Sequence, residues 1–132
     1  MKADRFISKE EDVMKRISII AALSFATTSV LANPLGEWRI ADGSANVEIK
    51  PCGQNLCGYV SWARDANSAL GSLVLVSMRP SNSNVWSGTV VNTVDGQRYS
   101  ARMSMQGEQV LKVEGCVMGG LICGGQQWSR VK

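Results

Sequence analysis

From residue 36 onward, apolar and polar side chains alternate with a period of two. Trp38 and Ile40 share a face against Glu37 and Arg39, and Val47 and Ile49 share one against Asn46, Glu48 and Lys50. Tyr99, Ala101, Met103 and Met105 oppose Arg98, Ser100, Arg102 and Ser104, and Leu111 and Val113 oppose Val110, Lys112 and Glu114. A period of two marks a strand with one buried face and one wet face. Turn signals recur at about 8–12 residues, the spacing of an all-β sandwich or barrel. They are Asp42-Gly43, Gly53-Gln54-Asn55, the polar run 65–68 with Gly71, Pro80-Ser81-Asn82-Ser83-Asn84, Asp95-Gly96, Gln106-Gly107-Glu108, and Gly119-Gly120 with Gly124-Gly125. Between them the pattern predicts eight strands, over 37–40, 45–50, 57–62, 73–77, 86–91, 98–105, 109–116 and 126–131. Short sequential turns favour an antiparallel up-and-down meander, and closing it into a barrel removes exposed edges. An eight-stranded barrel has an interior just wide enough to be filled by side chains or to hold one small ligand. Function turns on which of the two applies.

The segment before the strands has a different pattern. Lys15-Arg16 is a basic start, residues 17–26 are an apolar run, and Val30-Leu31-Ala32 offers small residues before Asn33-Pro34. This order predicts a signal peptide over 14–32, cleaved near Ala32. Residues 1–13 are charged and precede a second methionine, Met14, so they read as an extension ahead of the true start. The apolar run falls short of the ~20 residues that span a bilayer. The remaining 33–132 is expected to be one exported domain, periplasmic or secreted. Export gives the cysteines a role, because thiols become disulfides in oxidising compartments. Four cysteines allow three connectivities. Local pairing, Cys52 with Cys57 and Cys116 with Cys123, is the expected one, with a four-thiolate zinc site as the alternative.

Charge and composition then exclude several classes. Residues 33–132 carry nine basic and seven acidic side chains, a net +2, and the charges are scattered. Nucleic-acid binding needs a dense basic footprint, so none is expected. The chain has no histidine, which removes Ser-His-Asp and Cys-His catalysis and the commonest metal ligand. The acids Glu37, Asp42, Glu48, Asp65, Asp95, Glu108 and Glu114 fall on outward positions or turns. A general acid or base needs a carboxyl group in a cleft, so no enzyme, catalytic residue, cofactor or metal is expected.

A set of short blocks carries a resemblance. They are Gly36-x-Trp38, Cys52-Gly53-x-x-Leu56-Cys57-Gly58, Trp86-Ser87-Gly88, Asp95-Gly96-x-x-Tyr99-Ser100, Leu111-Lys112-Val113-x-Gly115-Cys116 and Trp128-Ser129-Arg130-Val131. Together they resemble the bacterial exported family called domain of unknown function 2147, across essentially all of 33–132. That family is similar in fold to the lipocalin-like (calycin) barrels, and the resemblance implies a fold without an activity. It implies that Trp38 and Arg130 close one end of the barrel, with the guanidinium stacked on the indole. The chain departs from the family in a short stretch over 63–75, and in Asn92-Thr93 where relatives often carry Asp-Pro.

The aromatics and methionines are the best candidates for a site. Trp62, Trp86, Tyr99, Met103 and Met105 are expected to line the interior, with Arg102 or Arg98 at a rim to meet an acidic head group. Aromatic walls and flexible thioethers suit apolar ligands. The expected function is a non-catalytic module for a small, mostly apolar envelope ligand, closed over by the loop 63–72. The alternative is an envelope interaction protein with a filled core, recognising a protein or glycan on its outer surface. An outward-facing pair of Trp62 and Trp128 would favour the second.

Overall fold

The computed structural model describes residues 33–65, 70–93, 95–118 and 122–132. The predicted signal peptide and the extension before it lie outside the described residues. Eight strands follow in order: β1 (Gly36–Arg39), β2 (Ala45–Cys52), β3 (Asn55–Ala63), β4 (Leu73–Asn82), β5 (Val85–Val91), β6 (Arg98–Met105), β7 (Val110–Val117) and β8 (Ile122–Arg130). Each pairs antiparallel with its neighbour in sequence, and β1 pairs with β8 to close a barrel. The closing seam places Trp38 opposite Arg130 and Arg39 opposite Ser129. Beyond it, Glu37 exchanges backbone hydrogen bonds with Val131 and Lys132, so the C-terminal residues continue the seam.

The alternation read from the sequence sorts the barrel wall. Trp38, Val47, Ile49, Leu75, Met78, Ala101, Met103, Met105, Leu111, Val113 and Trp128 form one buried cluster inside it. The Asp-Gly turns work as the residues dictate: Gly43 and Gly96 take φ of +74° and +75°, which costs a residue without a Cβ little. Gly88 has a different use. A Cβ there would stand 2.7 Å from the Met78 sulfur and 2.6 Å from the Val76 carbonyl oxygen, so its bareness lets β4 lie close on β5.

Three features differ most from the sequence pattern. The run Pro80-Ser81-Asn82, predicted as loop, belongs to β4, and the turn shrinks to Ser83-Asn84. Residues 79–84 are exposed, so this arm of the hairpin shows no buried alternation to read. Pro80 is tolerated beside a register shift between Pro80 and Asn82. Gly124-Gly125, predicted as a turn, lies inside β8, where Gly124 pairs with Gly115 and Gly125 with Glu114. The third difference is a bulge: Asn46 pairs with Trp62 but Val47 pairs with Val60, which leaves Ser61 without a partner of its own.

Candidate functional site

The two ends of the barrel are built differently. At one end lie the β2–β3, β4–β5 and β6–β7 turns and the entry to β1. Here the interior is full. Trp38 is wholly buried, and its indole N–H donates to the Pro34 carbonyl at 2.8 Å. The Arg130 guanidinium lies 4.3 Å from the centre of the Trp38 ring. Its three nitrogens donate to the backbone oxygens of Glu108 (2.7 Å), Leu35 (2.9 Å) and Asn33 (2.6 Å). One side chain thus ties the β6–β7 turn and the segment 33–35 across this end.

The other end, reached by the β1–β2, β3–β4, β5–β6 and β7–β8 connections, holds an open cavity of about 840 Å³. Ile40, Val60, Val74 and Val90 supply its apolar wall, and Trp128 and Val113 are among the lining residues that also belong to the core. Tyr99, Asn92, Thr93 and Gln126 supply polar atoms. Two facing residues without side chains leave part of this space open. Gly115 and Gly124 pair across β7 and β8 at the level of Tyr99 and Val90. A Cβ on Gly124 would meet nothing within 4 Å, and one on Gly115 would meet Val90 and Tyr99 at ordinary contact distance.

The sequence-predicted site residues separate accordingly. Tyr99 lines the cavity. Met103 and Met105 face inward but sit in the packed half, at 0% and 6% exposure, and Trp86 packs half-buried against the same core opposite Met103. Trp62 does not line the interior as expected. The bulge at Ser61 reverses the alternation set by Val60 and turns Trp62 outward, 42% exposed, with the Arg39 guanidinium 5.2 Å from its ring. Arg39 also donates to the buried Asn46 at 2.9 Å. Arg102 is likewise on the outer wall, between the inward Ala101 and Met103, and pairs with Glu114 at 3.2 Å. Arg98 is exposed at the start of β6, opposite Val91, and is not part of the lining. The loop expected to gate the mouth, 63–72, includes residues 66–69, which lie outside the described residues.

Gly115, Gly124 and Gln126 also line the cavity, and nothing in the alternation of side chains marks them. The usable signal is the cysteine spacing: pairing Cys116 with Cys123 makes Gly115 and Gly124 register neighbours. Both local disulfides are formed and no described cysteine is free, so the sulfurs make no zinc site. Among the described residues no three or more acidic, cysteine or histidine side chains cluster to hold a metal ion. No helix of the described residues is long and apolar enough to cross a membrane. The carboxyl group of Asp42 is held below its ordinary value. The Ser44 hydroxyl (2.6 Å) and backbone N–H (2.9 Å) donate to it and pull it down.

An eight-stranded antiparallel barrel, full at one end and open at the other, is a lipocalin-like architecture. The described strands match a solved structure titled "Protein HP1028 from the human pathogen Helicobacter pylori belongs to the lipocalin family", with a TM-score of 0.67 and 15% identity, covering 76% of this chain and 84% of that one. Residues 36–130 match the family described as "Uncharacterized protein conserved in bacteria (DUF2147)", and the chain belongs to that family. No curated protein matches it.

Proposed function

We propose that the protein is a non-catalytic carrier or receptor for a small, mostly apolar ligand of the bacterial envelope, taken up through the open end of the barrel. The observation that carries this reading is the cavity of about 840 Å³, within the range of small-molecule sites, with mainly aliphatic walls and a few convergent polar groups. Removing apolar ligand surface from water supplies about 25 cal/mol per Å², before the cost of immobilising the ligand. Formed disulfides fit an oxidising compartment, and so support export. The reading in which the outer surface recognises a protein or glycan calls for Trp62 and Trp128 outward together. Trp62 is outward, but Trp128 is buried at 4% exposure and lines the cavity.

The test is titration of residues 33–132 with the neutral fluorophore N-phenyl-1-naphthylamine, alongside native mass spectrometry of protein prepared gently from a periplasm. Saturable fluorescence gain is expected, and an adduct released on denaturation would name the ligand. Gly124→Phe is expected to intrude into the cavity and weaken probe binding while the melting temperature holds, because nothing stands within 4 Å of a Cβ there. Equal probe binding by Gly124→Phe would place the site elsewhere.

A further inference from the structure

Resting on that reading of the cavity, we infer that its ligand is an electrically neutral amphiphile whose head group carries a hydrogen-bond-accepting oxygen, held by the side-chain amide of Gln126. The first support is charge. None of the described residues lining the cavity is Asp, Glu, Lys or Arg. Arg98 stands exposed opposite the lining residue Val91 without being part of the lining, and other charged groups near this end are engaged elsewhere. Asp42 accepts from Ser44, Arg64 donates to the Gly43 carbonyl, and Asp95 accepts from the Gln97 backbone N–H. A carboxylate or ammonium drawn past the mouth in among the aliphatic walls would lose its water and gain no counter-charge, which is far costlier than burying a hydroxyl or an ester.

The second support is the orientation of one amide. Gln126 Oε1 accepts from the Ala41 backbone N–H at 3.1 Å and from the Trp128 indole N–H at 3.0 Å. Both partners are obligate donors, so the hydrogen-bond network fixes which end of the amide is oxygen. The Nε2 group, with two donors, faces away from them, and the described residues supply it with no acceptor. Gln126 lines the cavity and is exposed, so its amide stands at the open mouth, where a head group would lie. What it can take up is an acceptor: an ester, ether, carbonyl or hydroxyl oxygen. This replaces the sequence expectation of an acidic head at Arg98 or Arg102, since neither lines the cavity and Arg102 is paired with Glu114.

The test is displacement of bound N-phenyl-1-naphthylamine at neutral pH by dodecanol, methyl dodecanoate, dodecanoate and dodecylammonium, which share one alkyl chain, below their self-association range. The alcohol and ester are expected to displace at concentrations about tenfold or more below the two ions, the ratio that ~1.4 kcal/mol confers. Gln126→Met is expected to weaken the ester by about 2- to 10-fold, the value of one hydrogen bond, and to weaken the oxygen-free probe less. Arg98→Gln is expected to leave the series unchanged. If dodecanoate or dodecylammonium matches the neutral pair, if none of the four displaces the probe, or if Arg98→Gln selectively weakens dodecanoate, the neutral-head inference is overturned while the cavity stands as a site. If the probe itself does not bind, the cavity reading fails first.

Discussion

Arg130 shows how much a single side chain can organise. Its three backbone acceptors lie in two separate segments, and its flat face covers Trp38. A lysine would keep the charge but not the planar fork or the stacking surface. Arg130→Lys is therefore expected to lower the melting temperature and to speed proteolytic trimming of the segment 33–35; unchanged trimming would show that the segment is held by other contacts. Trp38 sits wholly inside this arrangement, whereas Trp86 is only half-buried. Trp38→Ala should cost about 3–5 kcal/mol, the range for emptying a buried aromatic site, and Trp86→Ala less. Urea midpoints in the reverse order would undo the assignment of Trp38 to closure. Asp42 sets the sign of a smaller effect. Its carboxyl is held below the ordinary 3.8 by the Ser44 hydrogen bonds, so its contribution is present above that pH and is lost as pH falls through the lowered folded value. Asp42→Ala should thus remove a little stability at neutral pH and leave a shallower acid limb.

At the level of elements, the sequence pattern located every strand, because inward and outward residues alternate through most of the wall. What it missed has local physical causes. Trp62 was placed on the wrong face because one residue, Ser61, breaks the period of two, and a bulge leaves no mark in composition. The outer arm of β4 is wet on all its residues, so no alternation distinguishes it from a loop. Gly124-Gly125 resembles a turn by composition but is a stretch of strand fixed by the neighbouring disulfide. That disulfide joins directly opposed residues of β7 and β8, and Cys52 and Cys57 flank the β2–β3 turn. Each closes a short loop, worth roughly 2 kcal/mol in the chain-entropy account. Replacing Cys116 and Cys123 together by serine is expected to lower the melting temperature by roughly 10 °C, with the far-ultraviolet circular dichroism unchanged. An unchanged melting temperature would remove the staple from the account of stability.

At the scale of the whole molecule, the barrel has a polarity that its uniform strand count hides. The filled end is knit by Trp38, Arg130 and the Cys52–Cys57 bridge, and the open end borders the Cys116–Cys123 bridge and the paired Gly115 and Gly124. The paired glycines leave their own level of β7 and β8 without side chains to brace the wall, so the adjacent disulfide is the cross-link there. The two bridges should then differ in kind. Replacing Cys52 and Cys57 by serine is expected to lower stability and leave affinity for N-phenyl-1-naphthylamine unchanged. Replacing Cys116 and Cys123 is expected to lower both, and a saturating ligand should restore part of the lost stability. A ligand that binds only the folded chain adds about 2.7 kcal/mol at a hundred times its Kd, which is comparable to one bridge. Thermal melts of the two double variants, with and without probe, separate the cases. Equal loss of affinity in both would mean that the barrel responds as one body and that its ends are not independent.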